Sequence, residues 1–517
     1  MNLISVTFLI FLTVLFIIYF ILPLKVRWMW LLIGNCVFYA WGGWKSLPFL
    51  FTAELIAYAF PLWIKAVYRR AEESVCTKKN DPAVKRRARW ILLLGVLLLL
   101  GMLVYSKAAE KIMTAIVSIF HGEMLSFPLI VPLGISYYTF AAIGYMADVY
   151  WKKDEAERNP LKLFLFLTYF PHITQGPIPR HKRLAPQLTE GHWFDYNRVC
   201  FGLQRIVWGY FKKLVIADRF ALIVREVIGN YEKYEGLTLV VAVMASAIQL
   251  YADFSGCMDI VLGISEVLGI TLEENFKRPF FAKSAAEFWR RWHITLGAWF
   301  KDYVYMPLVV SPFLMKLSNG ARKVFGKRFA RSLLSIIPLV VVWLLTGLWH
   351  GTGKNYIGWG VWWGGIIIFS TVFTPELKRL TKLLHINTNS IYWQVFQMVR
   401  TFLIFCVGRL LTAPGHLRRS WEIVKSIGSR WNPWIFFDGT LYRLGLDRPD
   451  FWVGILSLLL LWYISMQQEK GVRIRQKIAS YPIVIRWAIY YGAVFAVLIF
   501  GMYGSGHSAG GFIYAQY

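Results

Sequence analysis

Apolar runs follow one another along the whole chain, near residues 3–22, 28–41, 47–67, 90–106, 127–147, 161–174, 200–225, 237–252, 255–270, 333–349, 356–374, 391–411, 451–466 and 482–503. Crossing about 30 Å of hydrocarbon at 1.5 Å per residue takes about 20 residues, and several of these runs are too short or too polar for that. The pattern predicts an all-α polytopic membrane protein with about eleven full transmembrane helices and several re-entrant or interfacial ones. Ten-residue alternating segments, the signature of a membrane β-barrel, are absent. The first run has no basic n-region and no small-residue cleavage site, and Lys25 and Arg27 follow it. It reads as a retained helix with its N-terminus outside and its basic end in the cytoplasm. The stretch 412–450, rich in Trp, Pro and Gly, suits an amphipathic interfacial cap. No internal repeat and no appended soluble region stands out. The reading is one membrane domain over 1–517, with the catalytic segments at about 131–360 and an aromatic tail at 510–517.

Composition agrees: the 517 residues are 57% hydrophobic, 17% aromatic, and have a mean hydropathy of +0.48. The net charge of +28 alone would suggest nucleic acid. Its distribution does not, because Lys and Arg gather in short stretches between apolar runs, at 69–89, 322–331 and 470–477. That is the positive-inside pattern of a protein whose partner is the lipid bilayer, and it can also concentrate an anionic cytosolic substrate. The five cysteines are scattered, without zinc-ligand spacing, and read as packing residues.

Four stretches break the apolar pattern with polar groups, which are costly at membrane depth unless paired or facing water. In YFPHITQGPIPR (169–180) three prolines and a glycine predict a non-helical loop, either at the membrane surface or lining a polar entrance with His172, Gln175 and Arg180. In IQLYADFSGCMDIVLG (248–263) a kink or re-entry is expected at DFSG. Asp253 and Asp259, six residues apart, point to different helix faces and read either as buried carboxylates holding backbone N–H groups or an Arg, with Asp253 in an orienting role, or as a catalytic acid. In SAAEFWRRWHITLGAWFKDYVY (284–305), Ser284 and Glu287 form a capping box. The helix it starts would carry Trp289, Arg290, Arg291, Trp292 and His293, with the Trp/Arg pairs suited to a membrane interface. In WLLTGLWHGTG (343–353), His350 ends an apolar helix beside Trp349. A buried core histidine and a catalytic base are both open readings there. GTGK after it does not make a phosphate loop, because the glycine spacing is wrong and Asn355 follows Lys354. Gly347, Gly351 and Gly353 would let a thin substrate approach the imidazole.

Together these stretches, with VPLGISYYTF (131–140), GLQRIVWGYFKKLVIADR (202–219) and LTGLWHGTGKNYIGWG (345–360), resemble the membrane-bound O-acyltransferase family, in its alginate O-acetyltransferase-like branch. FWRRWHI followed at a distance by GLWHG carries the likeness. YADFSG stands where that family often has FDFSG, leaving Asp253 in place. The resemblance implies a helical core around a funnel with a central constriction where acyl donor and acceptor meet. It implies His350 as the essential catalytic residue and His293 as the second site histidine, with Asp253, Trp349, Gln175 and Arg291 as candidate funnel or orienting residues. Moving an acyl group from a thioester to a hydroxyl needs a base near neutral pKa, which His350 kept neutral by burial would supply. It also needs a donor to the developing oxyanion, with His293 or backbone N–H groups as candidates, and it needs no metal or redox cofactor. The ending FIYAQY resembles the aromatic tail of this branch, in which Tyr514 would carry the acyl group in relay; an interfacial aromatic belt is the alternative. The implied activity is acetyl transfer from cytosolic acetyl-CoA across the bacterial inner (cytoplasmic) membrane towards an extracellular polysaccharide, completed by a secreted or membrane-anchored acetyltransferase partner. D-alanyl transfer from an acyl-carrier protein to teichoic acid keeps the chemistry with other substrates. A transporter or flippase is the rival of another class, disfavoured by the missing repeats.

Overall fold

The computed structural model describes residues 1–73, 81–120 and 132–503 together with Phe512, the side chains of 110–120 excepted. Tyr514 and Cys76 therefore lie outside the described residues. Those described form an all-α architecture without a β-strand; a single isolated bridge joins Phe276 and Trp292. Eight helical stretches are long and apolar enough to cross a membrane, and the first of them combines two helices, Arg27–Gly43 and Leu47–Glu73. The chain is a multi-pass membrane protein. Several other apolar runs form short helices, such as Pro160–Thr168 and Ile135–Tyr150, whose side chains are mostly buried against neighbours.

The chain divides into two compact units, 1–203 with 261–273, and 204–260 with 274–517. In the first, the proline-rich 169–180 stretch is a buried segment and not a surface loop. It makes one helical turn, Phe170–Ile173, and His172 Nε2 lies 2.8 Å from the Phe166 carbonyl. His172 and Gln175 are both buried. Arg27 is likewise buried, donating to the Leu22 carbonyl at 2.9 Å and the Phe20 carbonyl at 3.1 Å. It satisfies the open carbonyls at the end of the Val6–Ile21 helix, a role for which a guanidinium at a helix C-terminus is suited.

The second unit is organised around the Leu237–Val267 helix, which runs unbroken through DFSG. The kink expected there does not form. Gly256 is used for close approach: a Cβ on it would lie 2.9 Å from the Gly209 carbonyl, and one on Gly209 would lie 2.6 Å from the Gly256 carbonyl. Two helices can meet this closely only where side chains are missing, the usual basis of small-residue packing in membranes. Beside the contact, Phe211–Ala217 winds as a wide π-turn that carries Lys212 and Lys213. Lys212 Nζ donates to Asp259 at 2.5 Å and to Ser255 Oγ at 3.0 Å. Lys213 Nζ donates to Asp253 at 2.7 Å and to Asp218 at 2.8 Å. Arg205 completes the set, reaching Asp259 at 2.9 Å and Glu274 through two bonds of 2.8 and 2.6 Å. Two aspartates on different faces are thus served by two consecutive lysines.

A helical hairpin made of Pro312–His350 and Lys354–Leu383 forms a second scaffold. Its helices touch at Gly347 and Gly360, where added Cβ atoms would sit 2.6 Å from the carbonyls of Tyr356 and Trp343. At Gly351 an added Cβ would lie 2.4 Å from the Tyr356 ring, and at Gly353 it would lie 2.2 Å from Asn355 Oδ1. These small residues let the hairpin close on itself; the space at them is filled by the protein's own atoms and is not clearance for a substrate. Leu417–Ser429 is an amphipathic helix with Ile423 buried and Arg418, Arg419 and Trp421 exposed, as the composition of 412–450 leads one to expect.

Candidate active site

His350 is the last helical residue of the first arm of the hairpin, and His293 lies between two short helices, Ala285–Arg291 and Ile294–Phe300. The capping box starts the first of these: Ser284 Oγ accepts from the Glu287 N–H at 3.2 Å, while Glu287 accepts from the Lys283 N–H at 3.0 Å. The helix then stops sooner than its sequence suggests. Trp292 is extended and His293 adopts a left-handed conformation, φ 47° and ψ 50°. A non-glycine residue rarely occupies that region, and the surroundings must hold it there. Hydrogen bonds from Lys277 N–H to the Arg291 carbonyl (2.9 Å) and from Ile294 N–H to the Asn275 carbonyl (3.1 Å) do so.

Tryptophans bring the two histidine segments together. Trp289 packs edge-on against Trp343, Trp359 and Trp363 of the hairpin, with centroids 4.8, 5.7 and 5.0 Å away. Phe288 stacks on Trp363 at 5.5 Å. Trp292 is buried and Trp289 half-buried, so these rings form an inner wall; they are not the interfacial belt suggested by their Trp/Arg spacing. Within the wall Trp349 touches both imidazoles. Its centroid is 4.7 Å from that of His350 and 5.9 Å from that of His293, both edge-to-face. Trp359 closes on His350 from another side at 4.8 Å. His293 is 2% exposed and His350 9%.

One residue the sequence reading missed fixes the chemistry of His293. Asn275 Oδ1 accepts from the Thr295 N–H at 3.1 Å and from the Thr295 hydroxyl at 3.1 Å, which identifies it as the carbonyl oxygen. His293 Nδ1, 3.3 Å from that oxygen, must therefore donate. Burial pushes the His293 pKa down to about 3, so the ring is neutral with its lone pair on Nε2. A neutral imidazole in that tautomer accepts at Nε2 and cannot donate to an oxyanion.

The other candidates fall in different places. Asp253 belongs to the Lys213 ion cluster, and the next residue, Phe254, packs edge-on against His293 at 4.9 Å. Arg291 is tied to Glu287 at 2.7 Å and to Glu469 by bonds of 2.8 and 3.0 Å, so its guanidinium links its helix to Arg448–Glu469. Gln175 lies in the other compact unit. Asn275, within LEENFKRPF, has no motif to announce it; its only signal is a lone polar amide ahead of an aromatic–basic run.

The MBOAT, membrane-bound O-acyltransferase family, matches the chain over residues 152–319. A protein named "probable alginate O-acetylase" from Pseudomonas syringae pv. tomato is 32% identical over 395 residues, 75% of this chain and 68% of that protein. The peptidoglycan O-acetyltransferase of Helicobacter pylori is 30% identical over 64% of this chain and 62% of its own length. The teichoic acid D-alanyltransferase of Bacillus subtilis is 28% identical over 60% of this chain and 81% of its own length.

Proposed function

This chain belongs to the membrane-bound O-acyltransferase family and is an acyltransferase, and from that premise we propose that it moves an acetyl group from cytosolic acetyl-CoA, across a bacterial cytoplasmic membrane, towards hydroxyls of an extracellular polysaccharide. The observation that carries the reading is that His293 and His350 both pack against Trp349 within one aromatic wall. The family assignment displaces the transporter reading. The relatives' names supply the substrate class: two act by name as O-acetylating enzymes, on alginate and on peptidoglycan.

His350 is the general base. It takes the proton of the attacking hydroxyl as the new C–O bond forms at the thioester carbonyl. The C–S bond then breaks, and the departing thiolate takes that proton, leaving an ester and free thiol. His293, with its Nε2 lone pair, accepts the hydroxyl hydrogen bond as the acceptor enters, and the hydroxyl turns that hydrogen to His350 before the C–O bond forms. The aromatic wall keeps water from the thioester, which would otherwise be hydrolysed. Tyr514 supplies the first hydroxyl, and a secreted or membrane-anchored acetyltransferase partner receives the acetyl group from it for delivery to the glycan.

Labelled acetyl-CoA given to the purified protein in lipid vesicles tests this. Label is expected in protein or acceptor, and His350→Ala is expected to lower transfer at least ~100-fold, the scale of general-base loss, with the protein still in the membrane. Transfer retained in that variant refutes the base. Label taken only from a D-alanyl-carrier thioester, and not from acetyl-CoA, moves the assignment to the teichoic acid reading.

A further inference from the structure

The helix Ile391–Thr412 has two unlike faces. One packs on the rings around the His293 segment: Phe402 meets Phe280 with centroids 5.1 Å apart, and Phe405 meets Phe288 and Trp292 at 5.0 Å each. The other, with Trp362 of the hairpin, forms an apolar groove of about 300 Å³ along Phe396, Val399, Leu403, Ile404 and Val407. Trp362 is fixed as one side of it, because its indole N–H donates to the Ile404 carbonyl at 3.2 Å. Arg400 lines the same groove and is exposed. Its guanidinium donates to the Lys283 carbonyl at 2.9 Å, and among the described residues no carboxylate pairs with it. Arg400 is about 14 Å of helix from Ile391 at 1.5 Å per residue, so its charge lies well inside a membrane span.

A guanidinium left without an anion at that depth is costly. Such an arginine is tolerated where its stem carries the charge to a headgroup, or where the headgroup is drawn in to meet it. The groove beside Arg400 says what carries the anion. Its walls are bulky side chains, whereas a second helix packs closely in a membrane against Gly, Ala or Ser. A flexible hydrocarbon chain fills a narrow space between large side chains where a helix does not. We propose that this groove is the seat of one anionic phospholipid, its phosphate on Arg400 and one acyl chain along Val399, Leu403 and Val407, in the leaflet at the Ile391 end of the helix. The planar fork of an arginine matches two phosphate oxygens at once. The lipid then covers the helix that backs the histidine wall. It also holds Arg400, whose own bond to Lys283 meets the chain one residue before the capping box at Ser284.

The test uses the full chain purified in detergent, stripped of lipid and titrated with phosphatidylglycerol or with diacylglycerol of the same acyl chains. Bound lipid is counted by native mass spectrometry. The wild type is expected to retain one phosphatidylglycerol. Arg400→Gln is expected to weaken it roughly ten-fold or more, the scale of a lost charge-assisted hydrogen bond, with diacylglycerol unaffected. Val399→Trp, which adds bulk in the groove at an exposed position, is expected to weaken both lipids, and it keeps the test decisive if Arg400→Gln does not fold. Arg322→Gln, at an exposed arginine outside the groove, is expected to change nothing. Thermal unfolding gives a second readout: phosphatidylglycerol raises the midpoint of the wild type and leaves that of Arg400→Gln where it was. Equal phosphatidylglycerol affinity in the wild type and Arg400→Gln overturns the proposal, as does an equal loss in Arg322→Gln. Undiminished binding to Val399→Trp overturns the groove as its seat. A second copy of the chain held by the wild type and released by Val399→Trp puts a helix in the groove and overturns the lipid.

Discussion

Asn275 decides what His293 can do, because its carbonyl oxygen holds Nδ1–H and leaves Nε2 as an acceptor. Asn275→Asp keeps the acceptor atom and adds a negative charge, which favours the imidazolium and raises the His293 pKa from its depressed value. In the wild type the ring stays neutral down to about pH 3, so His293 contributes no acid limb to activity in the usual assay range. In Asn275→Asp the useful neutral form is lost as pH falls through the raised value. Initial transfer rates between pH 5.5 and 8.5 are expected to match the wild type within a few-fold at the alkaline end and to fall by about ten-fold per unit below the new pKa. A pH profile identical to that of the wild type overturns the assignment of the tautomer.

Among the elements, those written in local pattern were legible and those set by distant contacts were not. The apolar runs and the capping box at Ser284 are local, and helices and cap form from them. The helix end at Trp292–His293 has no Gly or Pro to announce it; pairing with residues 275–277 imposes it from outside. Tryptophans beside arginines fit a lipid interface as well as an inner wall, and only the partners of Trp289 decide between them. DFSG offers turn formers, but Gly256 is placed against Gly209, so its missing side chain shortens an interhelical distance and bends nothing. Gly209→Ala is therefore expected to destabilise the protein by about 1–3 kcal/mol as an overpacking change. It would also draw Lys212 and Lys213 from their aspartates, and a buried charge left unpaired is costly. Gly428→Ala is the control, in an exposed helical position with nothing within 4 Å of the added Cβ, where the change should be slightly stabilising. Thermal unfolding in detergent should move the two midpoints in opposite directions; a Gly209→Ala midpoint at or above wild type removes the close contact.

On the scale of the whole molecule, the hairpin that carries His350 has a basic cluster at one end and His350 at the other. Lys327, Arg328 and Arg331 lie where one arm begins after a bend at Gly326 (φ 81°), and Lys378, Arg379 and Lys382 lie where the other arm ends. An ion pair between Arg328 and Glu376 ties the two basic ends together. His350 is at the tip, about 34 Å of helix from Lys327 at 1.5 Å per residue, which is the depth of a hydrocarbon core or more. Positive charge in short connections marks the cytoplasmic side. On the proposed function the tip would then face outward, and a donor entering from the cytosol would have to pass most of the bilayer to reach the imidazole. A long, thin thioester arm suits such a path, and under the proposed function the acetyl group would leave near the outer face. Lys354 and Lys378 sit at opposite ends of one helix and are both exposed. With a membrane-impermeant maleimide, Lys354→Cys is expected to react only from outside sealed cells, and Lys378→Cys only once the cytoplasmic face is opened. Reaction of both from the same side would place the basic ends and the histidine on one face, and the transfer would then not cross the membrane at His350.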